Sequence, residues 1–166
     1  MKKIQSNSIN YTLLVIVWLI TIISLLKLVP SDKVRQANII FLFKQLVTWL
    51  LGLIVVELNL IRYPKRFFKK GNASSFTFEY FIFPSICVIF NLYYPTTKSL
   101  SIKFIYHVLY SASMTVIELV FEKFTLLIEY KHWNWYYTFI SLTCTFYLSR
   151  VYYQWFYNEK RNPFSM

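Results

Sequence analysis

Polar residues recur at helical spacing through an otherwise apolar stretch between Lys103 and Trp133. His107, Ser111, Thr115, Glu118, Glu122, Thr125 and Glu129 follow one another at steps of three or four, which places them on one face of an α-helix. The wide remainder of that helix carries Phe104, Ile105, Val108, Leu109, Ile117, Val120, Phe121, Leu126 and Leu127. A soluble helix has the opposite proportions. This pattern predicts lipid or apolar neighbours outside and a polar seam inside, around which other helices gather. A continuous helix from Lys103 to Tyr130 would rise about 42 Å, well past a hydrocarbon core of about 30 Å. The expectation is therefore an amphipathic end beyond Glu122, with Glu118 inside the bundle facing the third and fifth spans and Glu129 in water. Asn134, Thr138, Glu79 and Lys123 are the expected partners of Glu118.

Five apolar runs are long enough to cross a bilayer, at approximately 12–29, 39–61, 76–95, 103–122 and 134–156. They predict an all-α fold, a polytopic transmembrane helical bundle of about five spans forming a single domain over residues 1–166. Pro30-Ser31-Asp32-Lys33 breaks the first two spans into a tight helical hairpin. Pro84 cannot donate a backbone hydrogen bond and frees the carbonyl of Tyr80. Lys2 and Lys3 precede an apolar run of about 18 residues with no A-x-A-like cleavage site, so that run reads as a retained first span.

Composition supports the membrane class, because 57% of residues are hydrophobic and 21% aromatic, more than a soluble domain carries. The net charge of +11 would suit nucleic acid, but the basic residues lie between apolar runs and form no continuous track for phosphates. Anionic lipid is the better counter-charge, above all at Arg62, Lys65, Arg66, Lys69 and Lys70. With five spans, Lys2, Lys3, that cluster, Lys123 and Lys131 share one side. Lys33, Arg35, Lys98, Lys103, Lys160 and Arg161 share the other, so the positive-inside rule puts the N-terminus in the cytoplasm. Tyr93-Tyr94-Pro95, Trp133 to Tyr137 and Tyr152 to Tyr157 mark span ends as interfacial aromatics. Cys87 and Cys144 read as small buried hydrophobes.

The candidate binding residues are the polar groups inside the spans: Glu79, Asn91, Glu118, Glu122, Lys44, His107 and Arg150. Lys44, Thr48, Gly52, Val55 and Asn59 share a face of the second span, and Asn134, Thr138, Ser141, Thr145 and Ser149 share one of the fifth. Under the assumed topology Glu57, Glu79, Glu118 and Glu122 fall in the cytoplasmic half, and Lys44, His107 and Arg150 in the outer half. Ionisable groups at such depth pair, protonate or line water, or reach a span end. H-E-x-x-H, G-x-S-x-G and P-loop motifs are absent, and His107 and His132 are too far apart on one helix to share a metal. No catalytic residue, metal or cofactor is therefore assigned.

Phe78-Glu79-Tyr80-Phe81-Ile82-Phe83-Pro84, Asn91-Leu92-Tyr93-Tyr94-Pro95, Glu122-Lys123-Phe124-Thr125 and Trp133-Asn134-Trp135-Tyr136 resemble segments of a group of small multi-pass membrane proteins from spore-forming Gram-positive bacteria. The resemblance covers roughly residues 40–157. It implies a bacterial cytoplasmic membrane and a role linked to sporulation or the envelope, and it supplies no reaction.

Three functions stay open. A structural or interaction component, its seam holding the bundle together, leads. The first alternative is a small proton- or cation-binding or transport protein, for which a homodimer is expected, using Glu118 and Glu122 with Glu79 and Asn91. The second is an intramembrane enzyme acting on a lipid or isoprenoid, with a glutamate as acid or base and Lys44, His107 or Arg150 on an anionic headgroup.

Overall fold

A computed structural model describes residues 6–68, 70–71 and 73–157. Its main elements are the helices α1 (Asn7–Leu28), α2 (Val34–Glu57), α3 (Phe83–Leu92), α4 (Leu100–Phe124) and α5 (Trp135–Tyr157). Phe76–Ile82 forms a π-helical segment that runs directly into α3. Three stretches, Asn7–Leu28, Ser31–Glu57 and Leu100–Phe124, are long and apolar enough to cross a membrane. The helical bundle and its apolar surface fit a membrane location. Leu26, Leu42, Phe104, Leu109 and Trp155 all point outward, an exposed apolar area far beyond what a soluble monomer tolerates. Phe76–Leu92 is a shorter apolar helix, rising about 26 Å.

Packing departs from the expected hairpin. α1 lies against the π segment and α3 instead of along α2. Trp18 accounts for the difference: its ring stacks on Phe81 with centroids 4.1 Å apart, and its Nε1 donates to Thr77 Oγ1 at 3.2 Å. Such a stacked, hydrogen-bonded aromatic outweighs the short link as a determinant of packing. The tightest pairs are α2 with α3 and α4 with α5. Their shared core includes Ile40, Cys87, Val88, Phe90, Met114 and Phe146.

The ends of α2 and α4 differ most from expectation. α2 stops at Glu57, four residues short of the predicted span end, because Asn59 turns left-handed at φ 55°. The Asn59 and Leu60 N–H groups then satisfy the Val56 and Val55 carbonyls, a left-handed helix stop that Asn tolerates well. Asn59 is exposed and accepts from Arg62 Nε at 2.9 Å, so it does not continue the buried Lys44–Thr48–Gly52 face.

α4 likewise ends at Phe124 and does not extend to Tyr130 as an amphipathic helix. Thr125 stops it, since its Oγ1 donates to the Phe121 carbonyl and accepts from the Leu127 N–H, diverting donors that a helix would use. Asn10 Oδ1 takes the Leu126 N–H. The freed chain forms β2 (Glu129–Tyr130), antiparallel to β1 (Ile61–Arg62). Leu127 and Ile128, expected at an interface, are instead fully buried with Leu14, Ile61, Tyr63 and Phe78.

The basic connection is thus partly built into the fold. Arg62 and Lys70 are exposed and Lys65 is half-buried, while Arg66 donates to the Tyr63 carbonyl at 2.7 Å. Lys69, predicted to join them on anionic lipid, lies outside the described residues.

Candidate functional site

The β1–β2 bridge closes one end of the bundle over a cavity of about 140 Å³ whose wall includes Thr48, Gly52, Tyr63, Glu79, Glu118 and Thr138. No Lys, Arg or His among the described residues lines it. Each side chain arrives by a local rule. Ser75 caps the π segment by accepting the Phe78 N–H, and Glu79 sits one residue further, aimed at α2. Gly52 makes room for it, because a Cβ there would overlap the Glu79 carboxylate. Thr48, one turn away, donates to the Glu79 carbonyl at 2.7 Å. Pro84 leaves the Tyr80 carbonyl open as expected, and Gln45 Nε2 donates to it at 3.1 Å. The wide π turn therefore positions an acid against a glycine, a use of π segments that recurs at functional sites.

Glu118 comes from the opposite wall. Its Oε1 accepts from Tyr130 Oη at 2.6 Å and Thr138 Oγ1 at 2.8 Å. Thr138 is held in turn by Trp133 Nε1 at 2.8 Å. Of the expected partners, Thr138 is found, whereas Asn134 is exposed and bonds Tyr136. Glu118 is 9% exposed, and Glu129 is half-buried and salt-bridged to Lys131 at 2.8 Å, the predicted order of burial.

Glu79 is 3% exposed, yet its carboxylate oxygens lack a well-formed hydrogen bond, with the Tyr63 and Ser74 hydroxyls the nearest donors. Burial, reinforced by Glu79 and Glu118, pushes the Tyr63 hydroxyl well above its ordinary range. Burial and then Glu118 do the same for Tyr130. Both phenols therefore stay protonated and remain donors to the carboxylates.

The other predicted residues separate from this pair. Lys44 is fully buried, bonded to Thr145 Oγ1 and 4.8 Å from the Phe146 ring centroid. Asn91 donates to Ser149 Oγ at 3.1 Å, and Cys87 donates to the same oxygen. Those contacts form a closed middle to the seam. Glu122 is half-buried and outside the cavity wall. Glu57 is exposed at the end of α2, and Cys144 is exposed rather than buried. His107 and Arg150 meet at the far end of the bundle.

Sequence periodicity missed Tyr63, Ser74 and Tyr130, because all three lie in connections rather than on helix faces. A second, largely apolar cavity of about 240 Å³ between α1, α3 and α4 shares Phe83 and Glu118 with the first. Comparison with protein-family models, curated proteins and solved structures finds no match to this chain.

Proposed function

We propose that this is a five-span protein of the bacterial cytoplasmic membrane, N-terminus inside, that binds a proton exchangeable for a small monovalent cation at Glu79 and Glu118. One observation carries the reading: two carboxylates share the wall of one small cavity supplied with hydroxyls and, among the described residues, no basic side chain. Two such carboxylates in low dielectric repel unless a proton or cation lies between them. A cavity of about 140 Å³ has room for a small ion with a few waters. The orientation rests on the excess of basic residues at Arg62, Lys65, Arg66, Lys70, Lys123 and Lys131 over Lys33, Arg35, Lys98 and Lys103. It also puts the carboxylate cavity at the cytoplasmic end.

The full chain reconstituted in liposomes holding a pH-sensitive dye tests this. Imposed Na⁺ or K⁺ gradients should drive proton movement, and Glu79→Gln or Glu118→Gln should abolish it while the protein stays folded. Gradient-independent dye signal from the wild type, or unchanged exchange in both Gln variants, sinks the proposal. A cysteine at Gly71 that reacts with an impermeant reagent in intact cells would reverse the orientation.

The scaffold reading has its own support in the middle of the seam, where Lys44, Cys87, Asn91, Thr145 and Ser149 bond one another across α2, α3 and α5. That network joins helices, the usual work of polar residues between membrane helices.

A further inference from the structure

The largely apolar cavity beside α1 is the larger of the two that meet at Glu118, at about 240 Å³ against about 140 Å³. The docking of α1 creates it. Trp18 fixes α1 on the π segment and α3, while α4 packs most closely on α5. The space left between α1 and α4 is walled by Val17, Ile20, Ile117 and Phe121. Ile20 and Ile117 are exposed on the outer surface of the bundle, so the cavity opens sideways between these two helices. An apolar cavity of even about 150 Å³ stays dry and takes up a molecule such as benzene. This one approaches the lower end of the range for small-molecule sites, about 300 Å³.

Glu118 gives the apolar wall a charge. The Tyr130 and Thr138 hydroxyls that bond it both go to Oε1, so Oε2 keeps its acceptor capacity for a further partner. Phe78, Phe83 and Phe121 share the same wall, with the Phe78 ring centroid 6.2 Å from that of Phe83 and 5.5 Å from that of Phe121. Clustered rings recognise alkylated ammonium groups through their quadrupoles, and a carboxylate beside them adds the opposite charge. The cavity also selects against other cations. A metal ion would have to shed its water in a dry apolar space, and a primary ammonium would bring three N–H donors. The Thr21 hydroxyl on this wall is already turned to the Val17 carbonyl, to which it donates at 2.8 Å. A fully alkylated ammonium brings no donor that must be satisfied on burial.

We propose that this cavity binds a hydrophobic quaternary ammonium ion, whose apolar groups lie against Phe78, Phe83 and Phe121 and whose charge pairs with Glu118 once its proton has left. The ion enters from the bilayer between α1 and α4, while the smaller cavity serves Glu118 from the side of Glu79. The inference rests on reading Glu118 as an exchangeable acid, and it adds an organic class of cation to the small monovalent ions of the polar side. A neutral acyl chain is the alternative occupant, and it has no use for the carboxylate.

The full chain in nanodiscs of phosphatidylcholine, whose zwitterionic surface does not concentrate cations, is dialysed to equilibrium against radiolabelled benzyltrimethylammonium, with uptake by empty nanodiscs subtracted. Saturable binding is expected, weakened about tenfold or more in Glu118→Gln, as loss of a charged partner requires. Val17→Phe fills the cavity from the α1 side and should weaken binding to a similar degree. Neopentylbenzene, the uncharged analogue of the same shape, should displace the label far less well than unlabelled benzyltrimethylammonium. Absence of saturable binding overturns the proposal, as does binding that is unchanged in Glu118→Gln or in Val17→Phe. Equal displacement by neopentylbenzene also overturns it and identifies an acyl-chain site. Ion-driven proton movement without ammonium binding keeps the exchange reading and removes this one. Ammonium binding that is lost in both variants, without ion-driven proton movement in the wild type, does the reverse.

Discussion

The two ends of this bundle are built on opposite electrostatic plans. At one end Glu79 and Glu118 face a cavity with no base among the described residues, roofed by the paired segments around Ile61 and Tyr130. At the other, Lys103, His107 and Arg150 line a cavity with no acid among the described residues, reached from the surface. Helices held together by ion pairing would place acids against bases, since the cost of burying charge is offset only by a close partner. Here the charges are segregated along the axis, with a closed network of neutral hydrogen bonds and Lys44 between them. At the carboxylate end this arrangement gives up pairwise stabilisation, and it suits a binding site better than a strut.

If the roof encloses the acidic end, damage to it should have the largest effect. Leu127 is fully buried between the α4 stop and β2, so Leu127→Ala should destabilise by about 2–5 kcal/mol. Chemical unfolding in detergent would measure this. Accelerated hydrogen exchange at the Lys131 and His132 amides, which bond the Leu60 carbonyl, would accompany it. A loss below about 1 kcal/mol would mean that the roof is a loosely attached loop, and the contrast between the two ends would weaken.

Next in size is the split between two substitutions at Glu118. Glu118→Ala strands the hydroxyls of Tyr130 and Thr138 and should cost about 1–3 kcal/mol. Glu118→Gln keeps an acceptor oxygen for both donors and should cost under about 1 kcal/mol while ending proton exchange. Equal losses of stability in the two variants, with exchange intact in Gln, would make Glu118 a packing residue like those in the middle of the seam.

Gly52 offers a finer test of Glu79. Alanine in the middle of a helix is favoured over glycine by about 1 kcal/mol, but at this position its methyl overlaps the Glu79 carboxylate. Gly52→Ala should therefore be neutral or destabilising in the wild type and stabilising by about 0.5–1 kcal/mol in a Glu79→Ala background. The coupling between the two changes, read from a double-mutant cycle, reports the contact directly. A coupling near zero would mean that the carboxylate does not rest on Gly52.

Much of this was legible in the chain. The spacing of His107, Ser111, Thr115 and Glu118 set the buried face of α4, and all four are buried. Thr138, Thr145 and Ser149 did the same for α5. Pro84 announced the open Tyr80 carbonyl. What periodicity could not supply were the places where one residue's local bonding overrides it. Thr125 and Asn59 stop helices whose apolar pattern continues past them, and Trp18 docks α1 away from its neighbour in sequence. The pairing of Ile61 with Tyr130 spans nearly seventy residues and leaves no local signature. Depth sorting set Glu79 and Glu118 apart from His107 and Arg150 but grouped Lys44 with those outer cations, and the expected carboxylate site took in Asn91, which bonds Ser149 instead. Rise along a helix fixes height, not the direction in which a side chain meets its neighbours.

The smallest effect on stability is expected at the basic end, and its smallness is what sharpens the contrast. Lys103 is half-exposed in the first turn of α4 and has no ion pair among the described residues. Removing its charge there trades a modest loss of side-chain packing against relief of repulsion from the nearby Arg150. Lys103→Gln should therefore change unfolding free energy by no more than about 0.5 kcal/mol, as surface substitutions away from buried networks do. A helix-dipole argument alone points to slight stabilisation, because a cation in the first turn opposes the N-terminal partial charge. Chemical unfolding of both proteins in detergent reads the difference. A loss above about 1 kcal/mol in Lys103→Gln would show that this side chain is held firmly in the wall of the basic end, and the contrast with the carboxylate end would weaken.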